Sequence, residues 1–572
     1  MKIALKYVLI FVFALRCSSP FDDSKSLQDL INQYENYESY DSDTFPLGDH
    51  SEERHQADYD FHKSLLEKIE KIPIENLSAN DLVSFELLKF LLNDHLANFE
   101  FKTHLNPLLS DAGFHNNLFY SVRPLTTKKQ AIDYLEMLEA IPLYVDQNLN
   151  LLRKGIEEGV SQPLVIFKGY EISYNRHITD SFVDNFYFSP FNELPGQLSV
   201  TERDSILTAA QNSVQKKVIP SFKKIKIFFE TEYYPQTRKS IGVNQTPNGA
   251  SFYNNRIAYY TTLEMTSNEI HQLGLREVKK IKEAMESIIG EVGFEGSFED
   301  FFTFLRTDQQ FYAKTADELL MRARDISKRL DEQLPKFFKT LPRTPYGVAA
   351  VPDAIAPKYT GGRYIPTQPE STNPGYYWVN TYNLPSRPLY VLPALTAHEA
   401  VPGHHLQMAL NSELRDDIPE FRKSLYLSAY GEGWGLYTES LAGEMGIYTT
   451  PYERFGQLTY SMWRASRLVV DTGIHAFGWT KEQAIDFMAA NTALSFHEIN
   501  TEVDRYISWP GQALAYKVGE LKISELRKKT EQALKEDFDI REFHNIILQK
   551  GTLTLPLMEQ EIDTYINQKI NE

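Results

Sequence analysis

Apolar residues recur three and four positions apart over six long stretches of the chain: Leu27 to Tyr37, Asp81 to Asn98, Lys128 to Glu158, Ser205 to Glu230, Ser267 to Val292 and Ala316 to Leu334. That spacing gathers them on one face of a 3.6-residue turn, so each stretch predicts an amphipathic helix. Pro335 cannot continue the hydrogen-bond ladder and is expected to end the last of them. One stretch reads differently. Gly375 to Thr381 is aromatic and β-branched, is bounded by Pro374 and Pro385, and predicts a strand in a small sheet over residues 345 to 382. The fold class that follows is mainly α. No Gly/Ser linker or internal repeat divides the chain, and the expected organisation is a helical amino-terminal region, 17–235, followed by a helical region, 236–572, that carries the sheet.

Composition changes this picture in two places. With 42% apolar residues the 572-residue chain can bury a large core, and its formal charge of −18 argues against nucleic acid, which calls for a basic footprint. At the start of the chain, Lys2 and Lys6 precede the short apolar run Tyr7 to Leu15, which is too brief for a membrane span and predicts a signal peptide over 1–16. The single cysteine, Cys17, follows directly, where a bacterial lipoprotein carries its lipid; Ser18, Ser19 and Pro20 then read as a tether. Arg16 departs from the small residue usual at that place, which leaves ordinary cleavage and secretion as the alternative. Either way the protein is expected to be exported, without an internal disulfide.

The chemistry concentrates in His398-Glu399-Ala400-Val401-Pro402-Gly403-His404-His405, three of the chain's fourteen histidines beside a carboxylate. Neutral imidazole and carboxylate are zinc ligands, and a catalytic zinc keeps about three protein ligands and one place for water. Glu399 would then act as general base. The spacing differs from H-E-x-x-H, whose histidines share a helix face four residues apart. In an unbroken helix His398 and His405 would be separated by about 10 Å along the axis, so a shared ion requires a break, and Pro402-Gly403 supplies it. Neighbouring helical residues diverge by about 100°, so at most one of His404 and His405 is expected to bind the ion, with His404 favoured. Downstream, Glu432 and Glu439 stand seven apart in Gly431-Glu432-Gly433-Trp434-Gly435, on one face across two turns. Glu432 is the expected third ligand, and Glu439 the acceptor that orients a histidine through its other ring nitrogen. The strand Gly375 to Thr381, if at an edge beside the ion, could bind an extended peptide through main-chain hydrogen bonds.

The run Leu395 to Gln407, together with Gly431 to Tyr437, resembles the bacterial domain-of-unknown-function family 885 (DUF885). So do Tyr259-Tyr260-Thr261-Thr262, Gly362-Arg363-Tyr364, Asp471-Thr472-Gly473-Ile474-His475 and Pro510-Gly511-Gln512-Ala513. The resemblance covers most of the chain, more weakly before about residue 230. It implies a zinc metallopeptidase, often secreted or lipid-anchored, with two helical lobes around a deep cleft similar to thermostable carboxypeptidases and angiotensin-converting-enzyme-like peptidases. It also nominates Arg467, His475 and Tyr516. A peptidase needs a donor for the oxyanion, and His475 and Tyr516 are the candidates. Arg464 and Arg467 suit bidentate binding of a substrate carboxylate, but helix caps or ion pairs with acids are the preferred reading. The expected function is hydrolysis of short peptides with one zinc per chain. An amidase acting on cell-wall peptides, or a surface lipoprotein that binds peptide or metal without turnover, are the alternatives.

Overall fold

The computed structural model describes residues 20–353, 355–367 and 371–572; the expected signal peptide and the Cys17 anchor lie outside them. The chain is mainly helical with one small sheet. Helices open where side chains satisfy the first free N–H groups: Thr266 and Glu269 cap each other's backbone at the start of Ser267–Glu291, as do Thr127 and Gln130 before Lys128–Glu157. The stretch expected as one helix from Ser205 is interrupted. It runs as Val200–Ser213, widens into a π turn at Val214–Val218, and resumes as Ile219–Phe228. Pro220 has no N–H to give the preceding turn, which a wider turn accommodates. Pro335 does not end its helix, which continues to Phe337. Two residues from a terminus, the missing donor removes one bond and leaves the rest of the ladder intact.

Three strands form the sheet: β1 (Tyr346–Ala350), β2 (Gly362–Ile365) and β3 (Gly375–Val379), in the order β1-β3-β2. β1 runs parallel to β3, and β2 antiparallel to it with Tyr364 opposite Tyr377. β3, the strand that could bind peptide if it lay at an edge, is therefore the central one. Its alternate residues Gly375, Tyr377 and Val379 are buried against helices, which explains why it carries the strongest strand signal. The open edge nearest the metal-ligand motif belongs to β2.

Five helices build the candidate site: α1 (Leu392–Glu399), α2 (His404–Ser412), α3 (Ser428–Glu444), α4 (Pro451–His475) and α5 (Ala515–Leu534). They do not form a region with a core of its own. One hydrophobic cluster joins Leu27, Leu65 and Leu88 to Trp434, Val518 and Ile562; a second joins Leu138, Phe222 and Tyr233 to Val470, Ile474 and Tyr506. Both draw on residues from either side of the expected boundary at 235. α4 contributes to both of these and, through Phe455 and Met462, to a third.

Burial has a pH consequence. His115, His177, His475 and His544 are each pushed down to about 3 by burial. The folded chain thus refuses protons that the unfolded chain takes up near pH 6.5. Stability is full above that pH and is lost as pH falls from 6.5 toward 3. Asp471, raised to about 7 by burial although Tyr253 and Gly511 donate to it, acts with the opposite sign. Asp504, also raised by burial, adds to it, but His62, His104 and His405, each pushed down to about 4 by burial, reinforce the four histidines and keep the trend. The melting temperature followed by calorimetry is expected to fall steadily from pH 6.5 to 4.5; a flat profile would mean that these rings are not held neutral.

Candidate metal centre

α1 stops at Glu399, and residues 401–403 form a turn that includes a cis bond between Val401 and Pro402. The turn is tight enough to require glycine: a Cβ on Gly403 would lie 1.9 Å from the His398 carbonyl oxygen. Trp434 on α3 fastens it by donating from Nε1 to the Pro402 carbonyl at 2.9 Å. α2 then starts at His404, so the chain folds back within one turn and returns its first residue to the end of α1.

This brings three donor atoms together. His398 Nε2 and His404 Nε2 are 3.1 Å apart, and Glu432 Oε2 lies 3.4 and 3.5 Å from them. Ligand atoms bound tetrahedrally to zinc at about 2.0–2.1 Å stand about 3.3 Å from one another, so the donor set and its spacing fit that ion. Among the described residues these are the three His, Cys, Asp or Glu side chains whose donor atoms fall within 4.8 Å of one another.

The seven-residue spacing on α3 serves a single imidazole. Glu439 Oε1 accepts from His398 Nδ1 at 2.8 Å while Glu432 faces Nε2, so the ring spans the two turns between them. It rests on Gly435, where a Cβ would stand 2.7 Å from the ring. Burial disfavours a charged His398, but Glu432 and Glu439 prevail and raise it to about 10. Glu432 is held well below the usual carboxylate range, His404 and His398 outweighing its burial. Glu432 also accepts from the hydroxyl of Tyr426, a residue 39% exposed, at 2.9 Å.

His405 points elsewhere. Its Nδ1 meets the Tyr364 hydroxyl at 3.0 Å and its ring packs on Tyr346, with centroids 4.5 Å apart. Glu399, 9% exposed, accepts from the Tyr364 backbone N–H on β2 at 2.7 Å, which fixes one carboxylate oxygen at the sheet edge. His475 does not belong to this centre. It lies eleven residues beyond Arg464 on α4, about 16 Å along the helix, and both its ring nitrogens are taken by backbone: Val243 N–H at 3.2 Å and the Tyr506 carbonyl at 2.9 Å. With no donor to spare, it is a core residue and not an oxyanion donor. Tyr516, on α5, is 9% exposed and its ring lies against the guanidinium carbons of Arg464 and Arg467, 5.9 and 4.4 Å from its centroid. Arg467 pairs with Glu502 at 3.0 Å and stacks on Tyr516, its guanidinium carbon 4.4 Å from the ring centroid.

Sequence reasoning missed Tyr426, Arg363 and the Tyr364 backbone donor. The first carries no local signal, since a tyrosine six residues before a ligand has no distinctive spacing. The other two lie in the quoted Gly362-Arg363-Tyr364 segment, but only the folded sheet brings them against Glu399.

The pattern that defines DUF885, described as a bacterial protein of unknown function, matches residues 39–562. The chain belongs to this family. Two solved structures are similar along nearly their whole length. One, from Colwellia psychrerythraea and described as a "putative lipoprotein", is 25% identical with a TM-score of 0.86, covering 96% of this chain and 100% of its own. The other, from Shewanella oneidensis and described as a "putative lipoprotein of unknown function", is 17% identical with a TM-score of 0.70, covering 95% and 99%. No curated protein matches the chain. No helix among the described residues is long and apolar enough to cross a membrane.

Proposed function

We propose that this protein is a zinc-dependent peptidase that hydrolyses short peptides outside the cytoplasm. The observation that carries the proposal is the triangle of His398, His404 and Glu432 donor atoms with a further carboxylate, Glu399, next in sequence and turned to the open edge of β2. A zinc ion on those three residues would supply a Lewis acid that acidifies water and polarises a carbonyl. Glu399 would take the proton of the attacking water and pass it to the leaving amine. Its second oxygen, bonded to the Tyr364 N–H, keeps the carboxylate aimed. Glu439 would hold His398 in the tautomer that presents Nε2 to the ion, and Tyr426 would orient Glu432. Tyr516 would donate to the oxyanion, since His475 has no donor left. An extended substrate would lie along β2, with main-chain hydrogen bonds that accept any side chain. A cleft between two helical lobes, open to short flexible peptides and closed to folded proteins, completes the reading. Export, with a lipid on Cys17, belongs to the same proposal, and the description of the Colwellia psychrerythraea neighbour as a lipoprotein supports the export.

The test is a digest of a mixed short-peptide library, read by mass spectrometry, with elemental analysis of the same sample. About one zinc per chain, and cleavage that a chelator stops and added zinc restores, is the expected result. Cleavage indifferent to chelation, or none from zinc-loaded protein, would remove the proposal.

A further inference from the structure

Arg464 and Arg467 stand three residues apart on one face of α4, and their guanidinium groups share the same two aromatic rings. The Arg464 guanidinium carbon is 4.6 Å from the Trp463 centroid and 5.9 Å from that of Tyr516; for Arg467 the distances are 4.5 and 4.4 Å. Two buried positive charges are thus held side by side. Arg467 is answered by Glu502 at 3.0 Å and by the Tyr506 hydroxyl at 2.9 Å. Arg464 is not answered to the same degree. It is 7% exposed, and its nearest carboxylate is Glu439, whose Oε1 stands 3.8 Å away and is bonded to His398 while its Oε2 is buried without a hydrogen-bond partner. Arg464 Nε and Nη1 and Arg467 Nη1 are buried without hydrogen-bond partners. Leaving several donors of a buried cation unsatisfied is costly, and the usual remedy is an anion with two oxygens that a guanidinium fork can grip.

Position limits what that anion can be. Arg464 reaches the candidate centre through one carboxylate and one imidazole: 3.8 Å to Glu439 Oε1 and 2.8 Å on to His398 Nδ1, so that an ion on His398 Nε2 stands about 11 Å away along that path, the reach of three residues of extended chain. Resting on the peptidase reading above, we infer that Arg464, with Arg467 beside it, binds the free terminal carboxylate of the peptide, so that the enzyme removes residues from the carboxyl end. The surrounding rings Tyr460, Trp463 and Tyr516 exclude water and strengthen the pairing. A chain with a formal charge of −18 repels acidic peptides at long range, and a local pair of arginines gives their carboxylate a place to bind.

Binding can be measured without turnover. Calorimetry on the full-length Glu399→Gln protein would compare N-acetyl-trialanine, its carboxyl-terminal amide, and N-acetyl-Ala-Ala-Asp amide, whose only carboxylate is on a side chain. The free acid is expected to bind at least about 30-fold more tightly than either amide, the scale of one or two charge-assisted hydrogen bonds. Arg464→Gln should reduce that ratio to near one while zinc content stays unchanged. Should Arg464→Gln fail to fold, Arg464→Lys serves in its place, since a single ammonium keeps the charge but not the fork and should also lose most of the preference. Equal binding of acid and amide, no binding of any probe, equal binding of the aspartyl amide, or a preference that survives in the variant would each overturn the inference. If the acid is preferred and the wild-type protein cleaves nothing, the peptidase reading fails and the carboxylate site stands.

Discussion

Glu399→Gln is expected to lower peptide turnover by about 10²–10⁴-fold, the usual contribution of a positioned general base, while zinc content and peptide affinity remain those of the wild type. The separation of effects follows from the geometry. Glu399 is not one of the three clustered donors, and a glutamine can still accept from the Tyr364 N–H through its amide oxygen. Local structure should survive, and only the capacity to take a proton is lost. The reading is checked by steady-state kinetics on a peptide found in the library digest, with metal analysis and calorimetry on the same preparation. A variant that kept full activity would show that the proton goes elsewhere. A variant that lost its zinc would show that Glu399 supports the centre instead of acting on the substrate. A protein that only binds peptide or metal has no use for this carboxylate, so a wild type that cleaves no peptide, with a variant that binds peptide and metal equally well, would favour that alternative.

The second large effect separates two adjacent histidines. His404→Ala should abolish zinc binding, bringing the metal content from about one per chain to near zero, because two ligands seldom hold a structural or catalytic zinc. His405→Ala should leave the metal content unchanged. Its expected cost is in stability, about 2–3 kcal/mol for emptying a buried ring site against Tyr346 and Tyr364. Thermal denaturation with and without zinc distinguishes them: binding to the folded state raises the melting temperature, so the wild type and His405→Ala should shift upward on adding zinc and His404→Ala should not. The opposite assignment of the two variants would mean that the turn at Pro402-Gly403 is wound differently from the arrangement described here.

The long helices were legible because apolar periodicity is a local property, and Lys128–Glu157 and Ser267–Glu291 lie within a residue of their expected limits. The Glu432 and Glu439 pair was legible for the same reason, since seven residues always return to one helix face. The break after Glu399 followed from the chemistry of Pro402 and Gly403. What could not be read were long-range pairings. Which strand takes the middle of a three-stranded sheet depends on what covers each face, so the central place of β3 has no local signal. His475 looked like a donor because a histidine's role depends on its two hydrogen-bond partners, and one of them, Val243, is 232 residues away. Packing across residue 235 is unreadable for the same reason: helices from Leu27 to Leu92 share their core with the end of the chain.

The crossing of α3 and α5 is bare on both sides. A Cβ on Gly433 would lie 2.6 Å from the Gly519 backbone, and one on Gly519 would lie 2.0 Å from the Ala429 carbonyl oxygen. Main chain therefore rests on main chain at the point where the helix bearing Glu432 meets the helix bearing Tyr516. Side chains elsewhere can change rotamer, or be exchanged by mutation, without altering that spacing. The contact works as a calibrated spacer, and drift in the surrounding core would tend to leave the distance between ligand and phenol untouched. A single added methyl group at either glycine would change it, and would thereby uncouple one half of the centre from the other.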